Sequence, residues 1–235
     1  MTEAGGAGGP GGPADLASPE RHQAASASPE TNLAELAGRD THPVDWAERE
    51  RRLAAVAEEA RRCYLCPLGE SRRLAVPGEG PPDAPLVLVG EAPGEKEDET
   101  GRPYVGNAGR LLNHLLGEAG LDRGRIFITG AVKCRPPGNR TPRASEIEVC
   151  AQHYLHPQIE IIRPRIVCLQ GTAAVRAVLG PGVRLAQVRG RPLEQEGYTV
   201  FVTHHPAAVF YREELKKTLE QDMAALAHLV RADHR

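Results

Sequence analysis

Four short apolar runs mark the chain, at 85–89, 125–132, 165–170 and 198–203, and helical patterns fall between them. Runs this short, bounded by glycine, proline and charge, read as strands buried on both faces. The stretch "AGRLLNHLLGEAG" puts Leu111, Leu112, Leu115 and Leu116 on one side of a helix. "SEIEVCAQHYL" opens on Ser145 with Glu148 three residues later, the pattern of a capping box. "GTAAVRAVLG" is a short helix stopped by glycine, and a last helix covers about 212–231. Ahead of the first run, "DWAERERRLAAVAEEARR" predicts a helix over 45–62 with Trp46, Leu53, Val56 and Ala60 on one face. Strands alternating with helices imply an α/β fold, its parallel sheet covered on both sides.

Ligands of such folds bind beyond the carboxyl ends of the strands. Three unusual segments follow strands here and so converge on one rim. "GEAPGEKEDETGRPYVGNAG" (90–109) follows the first run, "GAVKCRPPGNRTP" the second and "HHPAAVFY" the fourth. Glycine lets the backbone approach a ligand closely, whereas the carboxylates of Glu91, Glu95, Glu97, Asp98 and Glu99 repel phosphate. The first loop therefore surrounds a ligand, but not as a phosphate cradle. Glu95, Asp98 and Glu99, with Lys96, read as a solvated run.

Composition narrows the picture. Residues 1–42 are mostly Gly, Ala, Pro, Ser and Glu without sustained apolar periodicity, so a disordered low-complexity tail is expected, leaving 43–235 as one domain. A net charge of −2 excludes a globally basic nucleic-acid binder but allows a local patch, for which Lys133, Arg135, Arg140 and Arg143 are candidates. No apolar run reaches membrane-spanning length and the N-terminus lacks a signal-peptide core, which points to the cytoplasm and reduced thiols. Of the five cysteines, Cys63 and Cys66 form C-x-x-C, and Cys150 lies 16 positions after Cys134. Four thiolates suit zinc or a [4Fe–4S] cluster, and spacing does not choose between them or exclude unrelated buried cysteines. Cys168, inside "IVCLQ", reads as core.

Taken in order, C-x-x-C, "GEAPGEKEDETGRPYVGNAGRLL", "VKCRPPGNRTP", the later cysteine and "HHPAA" closely resemble the family 4 uracil-DNA glycosylases, the iron–sulfur type of bacteria and archaea. The resemblance spans about 60–230. It implies a three-layer α/β/α sandwich with a central four-stranded parallel sheet, in keeping with the four apolar runs. It implies that Cys63, Cys66, Cys134 and Cys150 hold [4Fe–4S] rather than zinc. It also implies a monomeric enzyme that hydrolyses the N-glycosidic bond of uracil in single- or double-stranded DNA. Free uracil and an abasic site result, beginning base excision repair.

The resemblance also assigns roles. A target base must be flipped into a pocket, whose wall would be lined by the backbone of Gly90, Ala92 and Gly94. Glu91 would stand beside the sugar, where positive charge develops, and His205 would donate to uracil O2, where negative charge develops. Neighbouring His204 is the lesser candidate. Tyr104 would stack on uracil where many relatives carry phenylalanine, a mild change if only the ring face matters. Glu97 would crowd the C5 edge against thymine, and Val209 would be the apolar wedge in the base stack.

One departure bears on specificity. Gly130, in "TGAVKC", stands where relatives often carry an asparagine whose amide donates to uracil O4 and accepts from N3–H. Either Asn139 or backbone and water replace that amide, or the pocket also takes bases such as hypoxanthine and xanthine. A sister group traps uracil-DNA covalently through a histidine in an inserted basic loop. The segment "RPPGNRTPRASEIEVC" is short and has no histidine, which argues against a trapping protein without turnover. An unrelated nucleotide-processing enzyme with a metal-stabilised fold is the remaining alternative.

Overall fold

The computed structural model describes residues 43–232; the tail expected over 1–42 lies outside them. The sheet has five strands, β1 (Leu86–Gly90), β2 (Ile126–Gly130), β3 (Ile166–Gln170), β4 (Pro192–Gln195) and β5 (Tyr198–Thr203), in the order β2-β1-β3-β5-β4. The four apolar runs are the four parallel strands. β4 is a correction to the four-stranded expectation: it pairs antiparallel with β5 at the sheet edge. Its sequence, Pro-Leu-Glu-Gln, carries no apolar run because three of its four residues are exposed. A proline at its start is tolerated where no further ladder bond is needed.

Alternation along the strands builds two cores. Val87, Val89, Val167, Leu169, Val200 and Val202 face one layer of helices: α1 (Pro43–Arg61), α5 (Ala144–Cys150), α6 (His156–Ile162) and α7 (Thr172–Leu179). Leu86, Leu88, Ile128, Cys168 and Phe201 face the other, where Leu112, Leu115 and Leu116 of α4 (Asn107–Glu118) meet Leu219, Met223 and Leu226 of α9 (Leu215–Ala232). Each such side chain contributes about 1.5–3 kcal/mol on burial. Cys168 is fully buried in this second core, as expected. Short helices α2 (Leu68–Ser71), α3 (Glu95–Thr100) and α8 (Leu185–Val188) complete the described chain. Among the described residues no helix is long and apolar enough to cross a membrane.

Two local expectations change. Trp46 is 43% exposed, so the core-facing side of α1 is made by Leu53, Val56 and Ala60. The capping carboxylate of α5 is Glu146, not Glu148, because the helix begins two residues earlier than the Ser145 pattern implies. Glu146 Oε2 accepts from Arg143 N at 2.6 Å, while Glu148 reaches out to Arg176 at 2.8 Å. From Cys150 the chain continues into α6 through a π-turn, Ala151–Leu155. Pro157 has no N–H for the helical ladder, and a π-turn absorbs such a loss.

Register brings the strand ends together. Gly90 pairs with Gly130, and Gln170 with Thr203, so the loops after β1, β2, β3 and β5 open on one rim.

Candidate active site

His205 caps the 3-10 turn Pro206–Phe210 that follows β5, and its Nδ1 accepts from Ala207 N at 3.2 Å. The ring proton therefore sits on Nε2, which lies 3.0 Å from the Tyr104 hydroxyl oxygen. That hydroxyl in turn donates to Gln170 Oε1 at 2.7 Å. The Tyr104 and His205 rings also stack, with centroids 5.6 Å apart. Burial pulls the His205 pKa down to about 4, against the Glu97 carboxylate, which favours the charged form. The ring is thus a neutral N–H donor at physiological pH.

The loop geometry around Tyr104 explains its glycines. Tyr104 is buried and holds a left-handed backbone at φ 54°. A Cβ at Gly90 would run into its hydroxyl, and one at Gly109 into its carbonyl. Glu97 braces the same loop, its Oε1 accepting from Val105 N at 2.9 Å and Gly106 N at 2.8 Å. Asp98 is not solvated as expected: it is buried and accepts from Arg73 N at 2.9 Å. Glu91, the first residue past β1, is half-buried. Burial raises its carboxyl pKa, opposed by a hydrogen bond donated by the Thr141 hydroxyl. Ala92 is half-buried beside it, against the core.

Cys63, Cys66, Cys134 and Cys150 line one small cavity with Tyr154. N–H groups point at three of the sulfurs: Leu65 N at Cys63 (3.4 Å), Arg72 Nη1 at Cys134 (3.4 Å) and Lys133 N at Cys150 (3.3 Å). Burial pushes the Cys134 thiol up to about 11 and that of Cys150 up to about 12. Among the described residues no group of three or more His, Cys, Asp or Glu is placed to hold a metal ion.

The uracil DNA glycosylase superfamily model matches residues 77–229, which include every rim segment. A type-4 uracil-DNA glycosylase of Sulfurisphaera tokodaii is 42% identical, over 75% of this chain and 84% of the relative. Those of Thermotoga maritima and Saccharolobus solfataricus are 45% and 44% identical, each over 72% of this chain and over 89% and 82% of their own lengths. The chain belongs to the uracil-DNA glycosylase superfamily, in its type-4 branch.

Within this glycosylase framework several expected roles shift. The hydroxyl of Tyr104 is not a passive addition, since it joins Gln170 to His205. Asn139 is exposed at φ 56°, with Oδ1 accepting from Arg135 Nε at 2.8 Å, so its amide serves its own loop. Lys133 is no phosphate ligand: it is buried and donates to Thr129, Gly130 and Gln158 at 2.6, 2.9 and 2.8 Å. Arg140 is clamped by two bonds to buried Glu146, at 2.8 and 2.7 Å, and Arg135 lies 3.9 Å from Glu95. Arg143 is exposed. Val209 is half-buried against the α4–α9 core, whereas the next residues, Phe210 and Tyr211, are 55% and 88% exposed. His204 is half-buried, its pKa lowered by burial and by Arg189, on the side where Arg189 and Thr203 bond Asp222. Sequence reasoning missed Gln170. Its polar side chain at the end of a buried run was the available signal.

Proposed function

We propose that this glycosylase hydrolyses the bond between uracil and deoxyribose in DNA, releasing free uracil. The observation that carries the reading is a neutral, N–H-donating His205 on the same sheet rim as a desolvated Glu91. As the bond breaks, the Glu91 carboxylate stabilises the cationic sugar and orients water, and its partial burial strengthens that field. His205 Nε2–H donates to uracil O2 as charge gathers there. A neutral donor suffices, because the departing base is an anion that needs a hydrogen bond rather than a full proton. Tyr104 stacks on the flipped base, and Glu97 holds the loop that carries it. With Gly130 offering no amide, the pocket accepts other deaminated bases besides uracil. Phe210 and Tyr211, exposed beyond His205, fit the wedge better than packed Val209.

Cys63, Cys66, Cys134 and Cys150 would hold a [4Fe–4S] cluster. Four sulfurs around one cavity, with N–H donors on three, support it. Its contribution would be structural, tying the end of α1 to the loop after β2. Thiols kept reduced for this purpose fit the cytoplasm.

Release of uracil from a labelled oligonucleotide tests the activity. His205→Ala should lower single-turnover cleavage by about 10²–10³-fold, and His204→Ala far less. A stable adduct on a denaturing gel, without turnover, would instead establish a trapping protein.

A further inference from the structure

We propose that Gln170 is a positioning residue for base cleavage: by accepting the Tyr104 hydroxyl proton it keeps His205 in its Nε2–H tautomer. The tyrosine hydroxyl has one proton and two neighbours, buried Gln170 Oε1 at 2.7 Å and half-buried His205 Nε2 at 3.0 Å. If the proton went to His205, the imidazole would have to carry its own on Nδ1, which already accepts from Ala207 N at 3.2 Å. That backbone bond is long for N–H···N and holds the tautomer weakly by itself. Among the described residues the Tyr104 hydroxyl is the group placed to reverse it, and Gln170 commits that hydroxyl in the other direction. His205 Nε2–H then donates to the phenolic oxygen and redirects that hydrogen bond to uracil O2 when the base enters.

The burial of Gln170 is the second observation. It lies at the end of β3 with no exposure, and its Nε2 has no hydrogen-bond partner among the described residues. Buried side-chain amides usually find partners within the protein, so one whose donor does not calls for an explanation. Reversing the amide would not relieve it. Nε2 would then donate to the phenolic oxygen, orphan Oε1 and release the hydroxyl proton toward His205. The orientation that leaves Nε2 unpaired is the one that preserves the catalytic tautomer.

The proposal rests on His205 acting as the donor to uracil, so its test has a readout apart from cleavage. In ¹⁵N-histidine-labelled protein without DNA, His205 should show the Nε2–H pattern in the wild type and a large Nδ1–H population in Gln170→Leu. On a single-stranded uracil oligonucleotide, Gln170→Leu should slow single-turnover cleavage about tenfold, one hydrogen bond's worth. In a chain already carrying Tyr104→Phe, where no hydroxyl proton competes, the same substitution should change the rate less than about twofold. Gln170→Met, which keeps the length and most of the volume, should repeat both results if leucine disturbs folding. An unchanged tautomer in both variants, or equal slowing in the two backgrounds, would reduce Gln170 to a packing residue. Absence of uracil release by the wild type would instead overturn the assigned activity, leaving the tautomer measurement to decide the role of Gln170.

Discussion

Replacing Gly130 with asparagine restores the amide that relatives often carry, and its cost can be worked from the geometry. Gly130 is the last residue of β2, paired with Gly90, and lies outside the left-handed region. Its backbone therefore admits an L side chain. A Cβ there would stand 2.9 Å from Val132 O, and 3.8–3.9 Å from Glu91 O and Ala92 Cα, so the side chain would lie toward the β1 loop. The Val132 carbonyl is main chain and must shift by about half an ångström, an overpacking cost of about 1–3 kcal/mol. For a chain of this size that lowers Tm by about 2–12 °C. The amide's two bonds to uracil contribute roughly 1–3 kcal/mol, or about 5- to 150-fold in kcat/KM. Gly130→Ala carries the steric cost without the amide and is the control. In a panel of uracil, hypoxanthine and xanthine oligonucleotides, the wild type should cleave more than uracil. Gly130→Asn should raise the uracil-to-hypoxanthine ratio by about tenfold over both other proteins. A strictly uracil-specific wild type, whose preference the asparagine leaves unchanged or impairs below Gly130→Ala, would refute the reasoning and show that recognition runs through other groups.

Four further outcomes are expected. His205, with its folded pKa near 4 and an unfolded value near 6.5, contributes stability that is complete above about pH 6.5 and lost as pH falls toward 4; an NMR titration should show no ring protonation between pH 5 and 8, and a midpoint near 6.5 would contradict its burial. Cys134→Ala should deplete bound iron and lower Tm while the folded fraction keeps much of its cleavage rate, whereas a colourless wild type with stoichiometric zinc would count against the cluster. Arg140→Met leaves the Glu146 carboxylate buried with one backbone donor and should lower the midpoint of urea melts; an unchanged midpoint would show the pair to be dispensable. Deleting residues 1–42 should leave cleavage of short oligonucleotides and Tm unaltered, and a large loss of either would show that these residues belong to the working enzyme.

The parallel strands were legible because each is buried on both faces and so is written as an unbroken apolar run: "PLVLV", "IVCLQ" and "YTVFVT" leave little else to form. Their order along the chain also placed Glu91, Gly130 and His205 on one rim, since parallel strands end on the same side. Edge strand β4 was invisible for the converse reason. Its stability comes from pairing with β5, and an exposed Pro-Leu-Glu-Gln carries no pattern of its own. The same limit governs charge and polarity. Lys133 and Asp98 look like surface residues in sequence, yet each is buried, because its partners lie in segments the chain brings back only on folding. The amino-acid sequence by itself determined the layers, the rim and the set of reactive side chains, through local hydrophobic period and the residues that interrupt it. Only the tertiary structure decided which proton each of them carries, because Tyr104 meets Gln170 across 66 residues and His205 across 101, and the direction of a hydrogen bond belongs to the pair.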